Sequence, residues 1–334
     1  VYLHMREWEN VITEAKKLIR NNDVKNPTSE IGGYLLEGDP ATPFTAYSNN
    51  KESIFSIENS GSDNASVNGA MWSMFSGRTQ DGSRAMCPPS PILYNSDYWL
   101  NDDKRRMNLL YWDEGNAAWF CDKYRETTRA EYSPIIRYAE VLLSYAEAKA
   151  ELGQLTDADW AKTVGAIRQR AGITGGISSK PTMVDSYLKA NFYPNVDDAA
   201  IMEIRRERGC ELCLEGTRED DLLRWGCGST IVNLAWDGIN FPALDTPFDA
   251  DNDGVADYYF TAGNAPDAYA DIAVKVNAQT GLNAVANGSV MKLTYPIAST
   301  LRYWADNRIL APIAYLTIAQ YKEHGYTITQ NPGY

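Results

Sequence analysis

Apolar positions at helical spacing mark the start of the chain. Met5, Trp8, Ile12, Ala15 and Ile19 recur every three or four residues, and Val11 and Leu18 widen the stripe. The pattern predicts an amphipathic helix over about residues 2–20. So broad an apolar face needs a cover, so a preceding helix is expected and the chain reads as one domain truncated at its N-terminus. From 21 to about 132 the period is lost to short segments punctuated by Gly, Pro, Asn and Ser, with strand-like runs at 34–36 and 53–58. This region carries Trp72, Phe75, Tyr94, Tyr98, Trp99, Tyr111, Trp112, Trp119 and Phe120. Turns alone do not call for that many rings, and long ordered loops are usually functional.

Helical periodicity returns at Ser133 and Pro134, a good N-cap followed by a proline suited to the first helical position. Ile135, Ala139, Leu142, Tyr145 and Ala146 follow the period, and Gly153 is placed as a stop. A second helix follows, capped by Thr156 or Asp157, striped by Trp160, Val164, Ile167 and Ala171, and closed by Gly172. This antiparallel hairpin, about residues 133–172, resembles a tetratricopeptide unit in its length and in the small residues Ala146 and Gly153. The opening helix, 1–20, then reads as half of another unit. A lone repeat cannot bury its face, so the units are expected to stack. Asp197 and Asp198 cap a further helix to about 216, in which Ile201, Ile204, Leu212 and Leu214 alternate with Glu203, Arg205, Arg206, Glu207, Arg208, Glu211 and Glu215. On an exposed helix each opposite-charge pair is worth only ~0.2–0.5 kcal/mol. A short turn of helix follows at 218–225. The remainder, 226–334, reads as loop-rich, with one helix at about 312–324.

Composition narrows the partners. The balance of 44 acidic to 31 basic residues, a formal charge of −13, repels phosphate backbones, so nucleic acid is not an expected ligand. No run approaches the ~20 apolar residues of a membrane-spanning helix. Nine Trp and twenty-one Tyr supply flat amphipathic surface beyond what a core requires. Of five cysteines, Cys210 and Cys213 have CxxC spacing inside a helical run, but no second pair completes a zinc site, so they are expected as buried thiols.

Three segments carry a specific resemblance. Residues 137–148, RYAEVLLSYAEA, residues 207–226, ERGCELCLEGTREDDLLRWG, and the closing Gln330 to Tyr334, QNPGY, resemble in sequence, order and spacing the signatures of the SusD/RagB-like family of cell-surface nutrient-binding proteins. The departures are mild: Arg208-Gly209-Cys210 stands where that family favours Arg-Arg-x, and Glu219-Asp220 where it favours an aromatic pair. The resemblance implies a mainly α protein, with tetratricopeptide-like hairpins packed against irregular loop-rich regions, 21–132 and 226–334, that have a few short strands and hold the ligand site. It further implies glycan capture at the outer membrane, a lipid anchor, and delivery to a SusC-like TonB-dependent transporter. Arg137, Glu140, Glu207, Glu211, Glu215, Arg218, Asp221 and Arg224 are read as ion pairs and caps locking the two regions together rather than as catalytic groups.

Asp249, Asp251, Asp253 and Asp257 place oxygens at positions 1, 3, 5 and 9 of a loop with Gly254 at 6 and the Val255 carbonyl at 7, the first part of a calcium loop. Position 12 is Phe260, so this is not an EF-hand. A structural Ca2+ is expected here.

Trp72, Tyr98, Trp99 and Trp112, with Asn101 and Arg78 nearby, form the expected ligand site, because a flat ring covers the C–H face of a sugar while polar neighbours bond its hydroxyls. Trp99 and its companions are expected to be exposed platforms. A peptide ligand, as in RagB-like capture, is the rival within the binding class, and a glycoside hydrolase the rival outside it. No GxSxG, HExxH or phosphate-loop motif is present, and His4 and His324, the only histidines, lie near opposite ends.

Overall fold

The computed structural model describes residues 1–19, 34–45, 50–59, 97–106, 110–113, 118–121, 123, 131–232, 237–250, 254–277, 280–294, 304 and 312–332. The first helix, α1, runs Trp8–Leu18 and turns Val11, Ile12 and Ala15 inward. It starts later than its stripe predicts because Arg6, in the left-handed region at φ 57°, interrupts the turn before it. A one-turn helix, α2, follows at Thr42–Thr45.

The long helix α3, Tyr138–Glu151, lies against α1 and buries Tyr138, Ala139, Leu142, Leu143, Tyr145, Ala146, Ala148 and Ala150, so it is covered on more than one face. Its expected start at Ser133 is corrected. Residues Glu131–Arg137 form a strand, β4, antiparallel to β1, Ser53–Asn59, with Pro134 opposite Ser56. Either strand of a two-stranded ribbon is an edge, so a proline is tolerated there. The Tyr138 N–H then donates to the Glu52 carbonyl at 2.8 Å, and Arg137 stays extended with its guanidinium turned inward. The run at 34–36 forms no strand.

The hairpin's second arm is two helices, α4, Asp157–Lys162, and α5, Val164–Arg170. Thr156 and Asp159 form a reciprocal capping box at its start. The break at Thr163 lets the chain pass close to a neighbour: a Cβ on Gly165 would stand 1.9 Å from the Ile177 carbonyl oxygen. After α6, Ser186–Asn191, the helix α7, Ala199–Glu211, begins on Asp198, whose Oδ1 accepts from the Ile201 N–H at 2.9 Å. The helix α8, Arg218–Trp225, ends on Gly226 at φ 63°, the left-handed cap that glycine adopts readily. A one-turn helix, α9, Gly228–Val232, completes this part.

The C-terminal region holds more sheet than its loop-like sequence implies. Asp237–Phe241 (β5), Val290–Thr294 (β10) and Asn283–Asn287 (β9) form an antiparallel sheet, and Pro247–Phe248 (β6), Tyr258–Thr261 (β7) and Ala273–Lys275 (β8) a mixed one in which β7 runs parallel to β8. The hairpin β2 and β3, Leu110–Asp113 and Ala118–Cys121, stands apart. The last helix, α10, Tyr315–Glu323, buries none of its residues.

Two apolar cores result. One joins α1, α3, α4 and α5, with Trp160 fully enclosed, and the other gathers Phe192, Tyr193, Phe241, Phe260, Val274, Leu282 and Leu293 beneath the sheets. The helix α7 and the residues just after it feed both, Ala200, Ile204 and Leu212 entering the first, Met202, Cys210 and Cys213 the second. Cys210, Cys213 and Cys227 are free and buried, and burial pushes all three thiols up, as inert core residues require.

The charges of α7 are not a solvated face. Glu203, Arg206, Glu207, Arg208 and Glu211 are buried, the glutamates held by cations and the arginines by carboxylates. Arg137 contacts Glu52, Glu211 and Glu215 at 2.5–2.6 Å, and Arg105 contacts Asp103, Glu207 and Glu211 at 2.6–2.8 Å. Arg170 joins Glu52 to Glu211, Arg168 joins Glu203 to Glu207, and Lys123 pairs with Glu215. Burial alone raises a carboxyl pKa, but the cations around Glu211 and Glu215 outweigh it and hold both below the usual range. A second knot ties Arg208 and Arg224 to Asp221 and Glu147. Glu140 and Arg218, expected in these pairs, are in neither: the Arg218 guanidinium lies 5.9 Å from the Trp225 ring centre.

Candidate functional site

The segment 97–106 leaves the second core at Tyr98 and Trp99, reaches the chain just after α5, and is tied down by polar contacts along its length. Tyr98 is fully buried, and its hydroxyl meets that of Tyr193 at 2.9 Å. Asp97 accepts from the Asn240 amide of β5 at 2.8 Å and lies 3.5 Å from Lys292 of β10. Asp102 accepts from the Thr174 N–H at 2.7 Å, the Lys104 N–H donates to the Ala171 carbonyl, and Asp103 is clamped by Arg105. Local propensity does not dictate this course; long-range polar contacts do.

A cavity of about 570 Å3 opens where this segment meets α6 and the two sheets. Trp99 and Leu100, with Tyr187, Phe248 and Ala250, give it an apolar wall, and Asp97, Asn101, Asp103, Arg106, Asn240 and Asp249 give it donors and acceptors. Burial lowers the Arg106 pKa to about 10 despite nearby Tyr258, Asp103 and Asp97. Burial raises that of Asp103, with Arg105 opposing. A concave space with one flat apolar side and convergent hydrogen-bonding groups is what a small polyhydroxylated ligand requires.

A second groove, about 470 Å3, lies between the chain start, α1 and α3, lined by Val11, Ala15, Leu18, Ile136, Val141 and Glu140 among others. Its described lining offers one phenol, Tyr2, and no indole or side-chain amide. The first cavity is therefore the candidate site.

Three residues singled out for two different reasons meet in that cavity: Trp99 and Asn101 from the aromatic loop and Asp249 from the acidic loop. The exposure expected of the rings is corrected. Tyr98 is a core residue behind the cavity, not a platform, and Trp99 keeps only 4% of its surface exposed, so it presents little ring face. Asn101 is exposed. Trp112 lies in β2 opposite Trp119. Trp72 and Arg78 lie outside the described residues.

Of the acidic loop, Asp251 and Asp253 also lie outside the described residues. Asp249 accepts from the Gly254 N–H at 2.8 Å, Asp257 accepts from the Ala250 N–H at 2.7 Å, and Val255 is exposed. The loop thus closes on two of its own carboxylates. Among the described residues no three His, Cys, Asp or Glu side chains converge as a metal site. Tyr187, Asn240, Phe248 and Arg106 were not singled out from sequence. Nothing local distinguishes them, since they reach the cavity only through the packing of α6 and the sheets against segment 97–106.

A model of the SusD family matches residues 116–334. No curated protein matches the chain. Among solved structures, it is similar to surface glycan-binding protein A from Bacteroides fluxus (TM-score 0.56, 20% identity, covering 100% of this chain and 60% of that one). It is also similar to a SusD-like protein from Bacteroides fragilis (TM-score 0.55, 17% identity, 100% and 63%) and to a SusD-like carbohydrate-binding protein from the same species (TM-score 0.53, 20% identity, 77% and 57%). At these identities the likeness is one of fold. The chain spans 57–63% of the length of these three proteins.

Proposed function

The chain belongs to the SusD family, and from that premise we propose that it binds a glycan in the cavity beside Trp99 and releases it chemically unaltered. The observation that carries this reading is the pairing of an apolar wall, Tyr187 and Phe248 backed by the edge of Trp99, with the amides and carboxylates of Asn101, Asn240, Asp97 and Asp249 around one space. A pyranose ring laid on the wall turns its hydroxyls toward those groups, and each neutral hydrogen bond formed contributes ~0.5–1.5 kcal/mol net. Two proteins of similar fold are named for glycan or carbohydrate binding, which supports the same ligand class. We further propose the setting that family membership supports: the outer membrane surface, a lipid anchor, and transfer of the captured glycan to a SusC-like TonB-dependent transporter. The tetratricopeptide-like helices are the proposed transporter contact. Binding without catalysis is part of the proposal.

Affinity electrophoresis through gels containing different polysaccharides tests it. Retardation by at least one glycan, with the recovered glycan unshortened, is expected. Retention on peptides alone would move the reading to peptide capture, and release of shorter sugars would move it to hydrolysis.

Ca2+ on the loop 249–257 stands as a companion proposal. It is supported by the spacing of Asp249, Asp251, Asp253 and Asp257 and by the closed turn that the Gly254 N–H to Asp249 bond makes. Its role there is structural, neutralising four carboxylates in nine residues. Calorimetric titration of the chelator-treated protein is expected to show calcium-dependent heat, and its absence would remove the ion.

A further inference from the structure

One face of the sheet of β5, β10 and β9 carries a polar group that reaches the cavity. Register places Lys292 of β10 between Asn240 of β5 and Val285 of β9, and side chains alternate along a strand, so Asn287, two residues beyond Val285, shares their face. The two-residue turn that follows, with Gly288 at φ 65°, holds Asn287 opposite Val290 at the corner of the sheet. From there its Nδ2 donates to the Asn240 Oδ1 at 3.2 Å, and the Asn240 Nδ2 donates in turn to Asp97 at 2.8 Å. Asn240 and Asp97 line the cavity, whereas Asn287 is exposed and is not among its described lining residues.

These two bonds give the Asn240 amide a direction: its oxygen meets a donor and its nitrogen meets an acceptor. Turned over, the same amide would set its oxygen against the Asp97 carboxylate and its N–H groups against those of Asn287, two like contacts in place of two bonds. Resting on the glycan-binding reading above, we infer that Asn287 is a positioning residue for the ligand, acting through Asn240 to fix which end of that amide a sugar hydroxyl meets. Replacing Asn287 by alanine removes one of the two bonds and leaves Asp97 to hold the amide. Replacing it by aspartate does more. A second acceptor then faces the Asn240 oxygen and competes with Asp97 for the nitrogen.

Affinity gels of dextran, laminarin, amylopectin and galactomannan, all neutral, select the polymer, and calorimetry then gives its dissociation constant for the intact protein and its variants. Asn287→Ala is expected to bind about threefold more weakly and Asn287→Asp about tenfold, within the range that one neutral hydrogen bond spans. Melting temperatures should stay close to wild type, because the substituted side chain is exposed. Asn240→Ala is expected to weaken binding as well, and adding Asn287→Asp to it should cost little further, since the residue through which Asn287 acts is gone. A loss of equal size with and without Asn240, as a merely structural effect of the turn would give, overturns the inference. So does Asn287→Asp protein that binds as tightly as wild type, or more tightly than Asn287→Ala. Each of these results leaves glycan binding intact. Failure of every polymer to bind the wild type overturns the glycan reading and the inference with it.

Discussion

Replacing Arg137 by methionine tests the ion-pair core that holds the helices to the binding half. Arg137 is 2% exposed. Its guanidinium serves Glu52, Glu211 and Glu215, and its Nη2 also donates to the Glu211 carbonyl at 2.7 Å. Methionine keeps much of the apolar stem beside Phe44, so packing changes little, but three buried carboxylates lose a shared cation. Arg170 still reaches Glu52 and Glu211, Arg105 still reaches Glu211, and Lys123 still reaches Glu215, so none is abandoned completely. Breaking a buried pair by removing one partner costs ~3–5 kcal/mol, and a large part of a domain's ~5–15 kcal/mol is therefore at stake. Urea denaturation at neutral pH should show Arg137→Met less stable by about that amount. The deficit should shrink between about pH 7 and 5, because carboxylates deprived of their cation have raised pKa values and take up protons in the folded variant. A deficit below about 1 kcal/mol, the value of an exposed pair, or one that does not shrink with falling pH, would refute the reasoning.

Three further outcomes are expected. Gly165→Ala should destabilise by ~2 kcal/mol or more in the same urea assay, since its methyl group meets the Ile177 carbonyl at 1.9 Å and the backbone must shift; an unchanged midpoint would show that the two segments separate freely. Glu211, Glu215, Glu147 and Asp221 have pKa values held below the unfolded range, so their stabilisation is complete above about pH 4.5 and is lost as pH falls through the depressed folded-state values. Acid titration of circular dichroism should accordingly show unfolding below about pH 4, and native signal persisting to pH 2 would contradict it. Trp99→Ala should cost ~3–5 kcal/mol of stability, as truncation of a core tryptophan does; a melting temperature equal to wild type would return Trp99 to the surface role its sequence position suggests.

Much of the helical frame can be read from the chain, and the exceptions share a cause. The stripe of α1 from Trp8 onward and the Thr156 and Asp198 caps are local signals, and each stands where the pattern places it. Ser133-Pro134 is also a local helix-start signal, but residues 53–59, some eighty positions away, pair with that segment as a strand instead. The charge pattern of α7 has the same limit. Its glutamates are legible as ion pairs locking segments together, but only the arrival of Arg105, Lys123, Arg137, Arg168 and Arg170 from other segments makes the helix an interior. For the site, the aromatic loop and the acidic loop each draw attention by composition, but their meeting at Trp99, Asn101 and Asp249 is a product of the fold. Tyr98 shows how little sequence adjacency decides: next to Trp99 in the chain, it points away from the cavity and into a hydrogen bond with Tyr193.

The most direct measurement is of glycan binding by wild type, Asn101→Ala and Tyr187→Ala, by affinity electrophoresis and then calorimetry on whichever neutral polysaccharide retards the wild type. Asn101 is exposed and Tyr187 partly so, and both line the cavity, so their removal should act on the ligand more than on the fold. The account predicts that each variant binds about 10- to 30-fold more weakly, ~1.4–2 kcal/mol, with melting temperature close to wild type and the glycan recovered at its original length. Wild-type affinity in both variants, or glycan shortened during incubation, would contradict it.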